Sequence, residues 1–141
     1  MSKPNTLHLS PRRLEQINAI AAALNLSATE AVAYMIRKEV AAGTIPAGVP
    51  GFVAESDGNA VSIKIDDAAP VVYTVEAARE IVASIRGTVE GEASIFSVKN
   101  NFSFVRIGRG FKLRAPLSGA EVSMTGDLAI DLADQIEKAA A

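Results

Sequence analysis

The side chains able to do chemistry in this chain are few and unevenly placed. His8 is its one histidine. No carboxylate or thiolate stands at ligand spacing around it, so it cannot assemble a metal site, and no activatable nucleophile accompanies it. Cysteine is absent altogether, which removes disulfides and thiolate metal centres. Glu76, Glu80, Asp127, Asp131, Asp134 and Glu137 recur at helical spacing and belong to solvated helix faces. Gly108-Arg109-Gly110 is too short and wrongly placed for a dinucleotide or phosphate-loop fingerprint. The expectation is therefore no catalytic residue, no metal, no cofactor, and not an enzyme.

The cations carry more. Arg12 and Arg13 follow Ser10-Pro11, in what should be the first turn of a helix, where the dipole disfavours positive charge by a few tenths of a kcal/mol. A local rule broken at the surface often marks function, and phosphate neutralisation is what such a pair offers. A second group lies between Ala93 and Ala120, a run without a single acid. There Lys99, Arg106, Arg109, Lys112 and Arg114 interleave with Phe96, Phe102, Phe104 and Phe111. Base stacking combined with backbone charge is how proteins hold single-stranded nucleic acid without sequence preference. Strand alternation puts Phe102 and Phe104 on one face, expected to be core, and projects Lys112 and Arg114 together opposite Phe111 and Leu113.

The elements that must position the first group run from Thr6 to Gly43. Thr6-Leu7-His8-Leu9 alternates, with Leu7 and Leu9 sharing one face and Thr6 and His8 the other. Ser10 is a good N-cap and Pro11 suits the first helical position. Leu14, Ile17, Ile20 or Ala21, and Leu24 form an apolar stripe, and Asn25-Leu26 breaks the helix. Ser27 with Glu30 is a capping box for a second helix, whose stripe is Val32, Met35, Ile36 and Val40 and whose stop is Gly43. One strand and two short helices cannot close a core alone, and an unaccompanied strand leaves both edges open. Two copies pairing their strands antiparallel would solve both problems.

This order and spacing resembles the ribbon-helix-helix superfamily of DNA-binding proteins, the Arc, MetJ and CopG type, over the first third of the chain. The resemblance implies a dimer whose paired strands enter the major groove of double-stranded DNA. It implies Thr6 and His8 as base readers, with Pro4 just before them. It also implies a phosphate held by the amides of Ser27 and Ala28 at the start of the second helix, as a helix N-terminus favours. Lys3, Arg12 and Arg13 complete the expected phosphate contacts.

Charge follows the same division. Residues 1–50 hold five basic side chains against three acids, a net of +2; residues 51–141 hold nine against thirteen, a net of −4; together they give the −2 of the whole chain. No segment approaches the roughly 18 continuous apolar residues a membrane span needs, and Met1–Asn5 is expected to be a loose arm without signal-peptide character. A cytoplasmic, nucleoid-associated protein is the expectation, with no membrane partner.

Thr44–Gly51, rich in proline and glycine, is the expected boundary between a 1–45 head and a 51–141 body. In the body Phe52–Gly58 (FVAESDG) recurs as Phe104–Gly110 (FVRIGRG), and each copy leads into an alternating strand, a turn, a short strand and a threonine-started helix. Asp57-Gly58 signals a hairpin turn. The helices align Ala78 with Ala129, Ile81 with Leu132, and Ile85 with Ile136. The fold expected is α+β: a strand-helix-helix head, then an antiparallel-sheet body of two βββα units (52–86 and 104–138), the second preceded by a strand at Ala93–Lys99.

The function expected is a dimeric, sequence-specific DNA-binding regulator, a repressor of plasmid, phage or antitoxin type, as a homodimer or higher homo-oligomer. Its body would oligomerise, sense a ligand or bind a protein partner. Two alternatives stand beside it. One is a single-stranded nucleic-acid or RNA binder using the body's basic sheet. The other is a phage assembly protein whose head only dimerises.

Overall fold

Ser10 and Pro11 begin the first helix by the chemistry their positions suggest. In the computed structural model, which describes residues 6–141, α1 spans Pro11–Leu24 and the Ser10 hydroxyl accepts the Arg13 N–H at 3.3 Å. Lys3 and Pro4 lie outside the described residues. Asn25 ends α1 in the left-handed region (φ 57°), a conformation asparagine tolerates better than most residues. The Leu26 N–H then donates to the Ala21 carbonyl at 2.8 Å. In α2 (Ala28–Ala41) both halves of the capping box form: the Glu30 N–H donates to the Ser27 hydroxyl at 3.2 Å, and the Ser27 N–H donates to the Glu30 carboxylate at 3.1 Å. The chain turns by 85° between the two helices. Neither is long and apolar enough to cross a membrane, nor is any other single helix among the described residues.

Thr6–Ser10 belong to no helix or strand in the single chain. The alternating segment expected to be a strand thus pairs with no strand among the described residues.

The chain divides into two compact units, residues 1–47 and 48–141. Packing of the second begins ahead of the expected start at Gly51. Val49 is buried, and its N–H donates to the Gln135 side-chain oxygen at 2.9 Å. The amide nitrogen of Gln135 in turn donates to the Phe52 carbonyl at 2.8 Å. One glutamine therefore ties the entering chain to the body's last helix.

The second unit holds two antiparallel sheets. The first is β1 (Phe52–Asp57), β2 (Ala60–Ile65) and β3 (Val71–Thr74), in that order, followed by α3 (Val75–Val89). The second is β4 (Ile95–Ser97), β5 (Phe102–Ile107), β6 (Gly110–Arg114) and β7 (Val122–Met124), followed by α4 (Gly126–Ala140). The described residues thus form an α+β structure of four helices and two antiparallel sheets.

Both long hairpins close on a two-residue loop, Gly58-Asn59 and Gly108-Arg109, with glycine at the first central position in positive φ (64° and 59°). That is the conformation a primed hairpin turn requires there. Counted from these turns, Phe52 corresponds to Phe102, whereas the matched strings FVAESDG and FVRIGRG set it against Phe104. The strings are two residues out. An even shift preserves the face, so Phe102 and Phe104 both point inward, as alternation required.

The core lies between the sheets' inner faces and the helix pair. Val61, Ile63 and Tyr73 fill it from the first sheet, and Phe102, Phe104, Phe111 and Leu113 from the second, with the Phe104 and Phe111 rings stacked at 5.3 Å. Ala78, Ile81 and Ile85 of α3 and Ala129, Leu132 and Ile136 of α4 are all buried. The two helices pack on each other. Beyond that their allegiances cross: α3 reaches over to β5 as well as β3, while α4 lies on β1 and β2.

Polar contacts close the remaining gaps. Arg86 of α3 bridges Asp134 at 2.7 Å and Glu137 at 2.5 Å on α4, so these two helix-face acids have a partner and Glu137 is held below the usual carboxylate range by Arg86. The buried Tyr73 hydroxyl donates to the Asn101 carbonyl at 2.8 Å, joining the first sheet to the β4–β5 turn. Thr74 caps α3 through the Ala77 N–H at 3.0 Å, whereas Thr125 takes the extended N-cap backbone of α4 without a side-chain bond.

Candidate nucleic-acid interface

The head fully buries no large side chain of its apolar stripe, of which Ile17, Met35 and Val40 are half-buried. Ala21, Ala31 and Ala33 are its buried apolar residues among those described. Leu9, Leu14, Ile20, Leu24, Val32 and Ile36 remain between 37% and 49% exposed, and Leu7 is 81% exposed. Small alanines let the α1 and α2 backbones approach, but they remove little surface from water. Open apolar side chains gathered in one small unit make it a candidate interaction face.

Around that face stand the residues with recognition chemistry. Thr6 and His8 are exposed on the segment before α1. Arg12 and Arg13 are exposed on its first turn, with Arg13 laid along the helix by a 2.8 Å bond from its guanidinium to Gln16. At the start of α2 the Ser27 N–H is taken by Glu30. The anion seat expected at Ser27 and Ala28 is therefore narrowed to the Ala28 amide, the one of the two that the capping box does not engage.

In the second unit the structure separates the five cations expected to act together. Lys112 and Arg114 do share the outer face of the second sheet, since their β6 neighbours Phe111 and Leu113 are buried on the inner face. Arg109 sits beside them in the β5–β6 turn. Arg114 pairs with Glu121 at 2.8 Å, an acid standing just past the acid-free run. Arg106 belongs elsewhere. It alternates with Phe102 and Phe104 toward the inner side, where its guanidinium donates to the Thr88 carbonyl at 2.7 Å and lies 4.8 Å above the Phe111 ring. That arginine fastens β5 to the end of α3. Lys99, in the β4–β5 turn, lines a groove with Tyr73, Glu76, Arg79 and Glu80.

One phenylalanine of the basic run parts company with the core ones. Phe96 pairs with Ser103 in the β4–β5 register, which places it on the outer face, and it is 67% exposed. Its signal was parity: it stands opposite Ser103, between the inward Phe102 and Phe104. Among the described residues no group of histidine, aspartate and glutamate side chains could hold a metal ion. Compared with protein-family models, with curated proteins and with solved structures, the chain matches none.

Proposed function

We propose that the chain is a homodimeric, sequence-specific double-stranded DNA-binding protein of the ribbon-helix-helix kind, acting as a transcriptional regulator. The observation that carries this is the open apolar face of the head, at residues whose types and spacing suit a second copy of the same segment. Antiparallel pairing of two Thr6–Leu9 segments would satisfy their backbone groups and bury Leu7 and Leu9 against the stripes of α1 and α2. Thr6 and His8 would then line the opposite face of the ribbon, toward base edges in the major groove. Arg12 and Arg13, with the Ala28 amide, would hold phosphates on either side. In this reading the body consists of two βββα units, related by duplication, and supplies further oligomerisation or a partner site.

Base readers and phosphate anchors should fail differently. Thr6→Ala or His8→Ala should weaken binding to a selected operator by roughly 1–3 kcal/mol and leave random duplex nearly unaffected. Arg13→Ala should weaken both alike and lower the slope of log K against log salt by about one unit for each phosphate no longer neutralised. The operator is first selected from a genomic library by mobility shift, and the variants are then titrated across a salt series. If Thr6 and His8 prove silent on the selected site, the ribbon is not the reading element.

A further inference from the structure

We infer that the outer face of the second sheet is a second nucleic-acid site, one that takes single strands by stacking a base on Phe96 and running the backbone over Lys112, Arg114 and Arg109. Four observations meet there. Phe96 is a large aromatic left 67% exposed on a sheet face, where burial is otherwise the rule for such a ring. The neighbour opposite it, Ser103, is a small side chain, itself only 7% exposed, lying between Phe96 and Arg114 across the strands. Arg114 is in register with that same Ser103, and Lys112 pairs with Val105 one step further along the strands. Lys112 and Arg114 are two residues apart on one face, hence about 7 Å from each other. The β5–β6 turn adds Arg109 at the end of the line.

Charge complementarity names the occupant. The stretch from Ala93 to Ala120 holds five of the body's nine cations and none of its thirteen acids. Glu121, at the margin, neutralises only Arg114. An apolar protein partner would be met by this local positive charge without compensation. A polyanion lacking rings would leave Phe96 in water. A nucleic-acid single strand satisfies both, because every base has a face to stack and every nucleotide carries a phosphate. Duplex DNA fits less well, since its bases are already stacked on each other. The site is independent of the head, and its test is arranged to keep the two apart.

The experiment is fluorescence anisotropy of the full chain with a labelled oligo-dT and an oligo-U, in parallel with a random duplex. Phe96→Ala should weaken single-strand binding about 5- to 150-fold, the range one stacked base commands. Phe96→Tyr should restore it, and Phe96→Leu, equally apolar, should not. An exposed ring leaves the core intact on removal, and circular dichroism checks that it does. Lys112→Ala should lower the single-strand salt slope by about 0.7. The double variant Arg12→Ala/Arg13→Ala should bind the single strand as wild type does. No single-strand binding by the wild-type chain overturns the inference. So does unchanged binding in Phe96→Ala, or competition by polyglutamate as effective as by oligonucleotide, or a loss that follows Arg12 and Arg13 instead. Failure of the head's operator binding would leave every one of these outcomes unaffected.

Discussion

Replacing Ile36 with alanine offers a direct measure of what the head's open face is for. Fully burying an isoleucine side chain is worth about 1.5–3 kcal/mol. Ile36 is 49% exposed in the single chain, so about half of that remains to be gained on association. Each copy would then contribute about 0.7–1.5 kcal/mol. A two-fold interface uses the residue twice, giving about 1.5–3 kcal/mol for the dimer. In dissociation constant this is about a 10- to 150-fold weakening. Sedimentation equilibrium over a concentration series reads it directly, and far-ultraviolet circular dichroism at each concentration reports whether helix is lost with association. Ile36→Asp should abolish the dimer outright, because association would bury an unpaired carboxylate. A dissociation constant for Ile36→Ala within twofold of wild type, with Ile36→Asp still dimeric, would refute the assignment of this face to a second copy.

Two further outcomes concern the devices that hold each unit. Ser27→Ala removes half of the α2 capping box and should cost the head about 0.5–2 kcal/mol, read as a lower denaturant midpoint with unchanged slope. The Tyr73 hydroxyl is pushed up by burial from 10.0 to about 12. The folded state therefore keeps this proton more tightly than the unfolded chain does, so the stabilisation is complete below pH 10 and is lost as pH rises toward 12. Phenolate absorbance in a Tyr34→Phe background should show Tyr73 titrating in that window, and an ordinary titration near pH 10 with the fold intact would be the contrary result.

What could be read without coordinates was what depends on near neighbours in the chain. Ser10 with Pro11, Asn25, and Ser27 with Glu30 are local chemistry, so the starts of both head helices and the end of the first followed from them. Alternation alone sufficed to send Phe102 and Phe104 inward and Lys112 outward. The rest is decided by contacts across the chain. Nothing near Arg106 in sequence announces that Thr88 will offer its carbonyl, so this arginine looked like one more surface cation. The repeat was placed two residues out because similar letters, FV and G, outweighed the turn geometry that sets strand register. Thr125 shares the extended N-cap backbone of Thr74 yet makes no cap bond. The head's stripe was legible as apolar, but how much of it the single chain leaves open was not.

The crossed allegiance of α3 and α4 orders events during synthesis. The first sheet is complete in sequence by Thr74, yet the helix that covers β1 and β2 begins only at Gly126. Until α4 has left the ribosome, β1 and β2 lack its share of their cover, with only α3 already against β2 and β3, and a nascent chain halted in the second sheet leaves part of the first sheet's inner face exposed. The α1–α2 pair has no such wait, because its two helices are immediate neighbours in the chain. In the proposed dimer, heads on neighbouring ribosomes of one message would meet while their bodies are still unfinished, and a new body would fold attached to a partner already chosen.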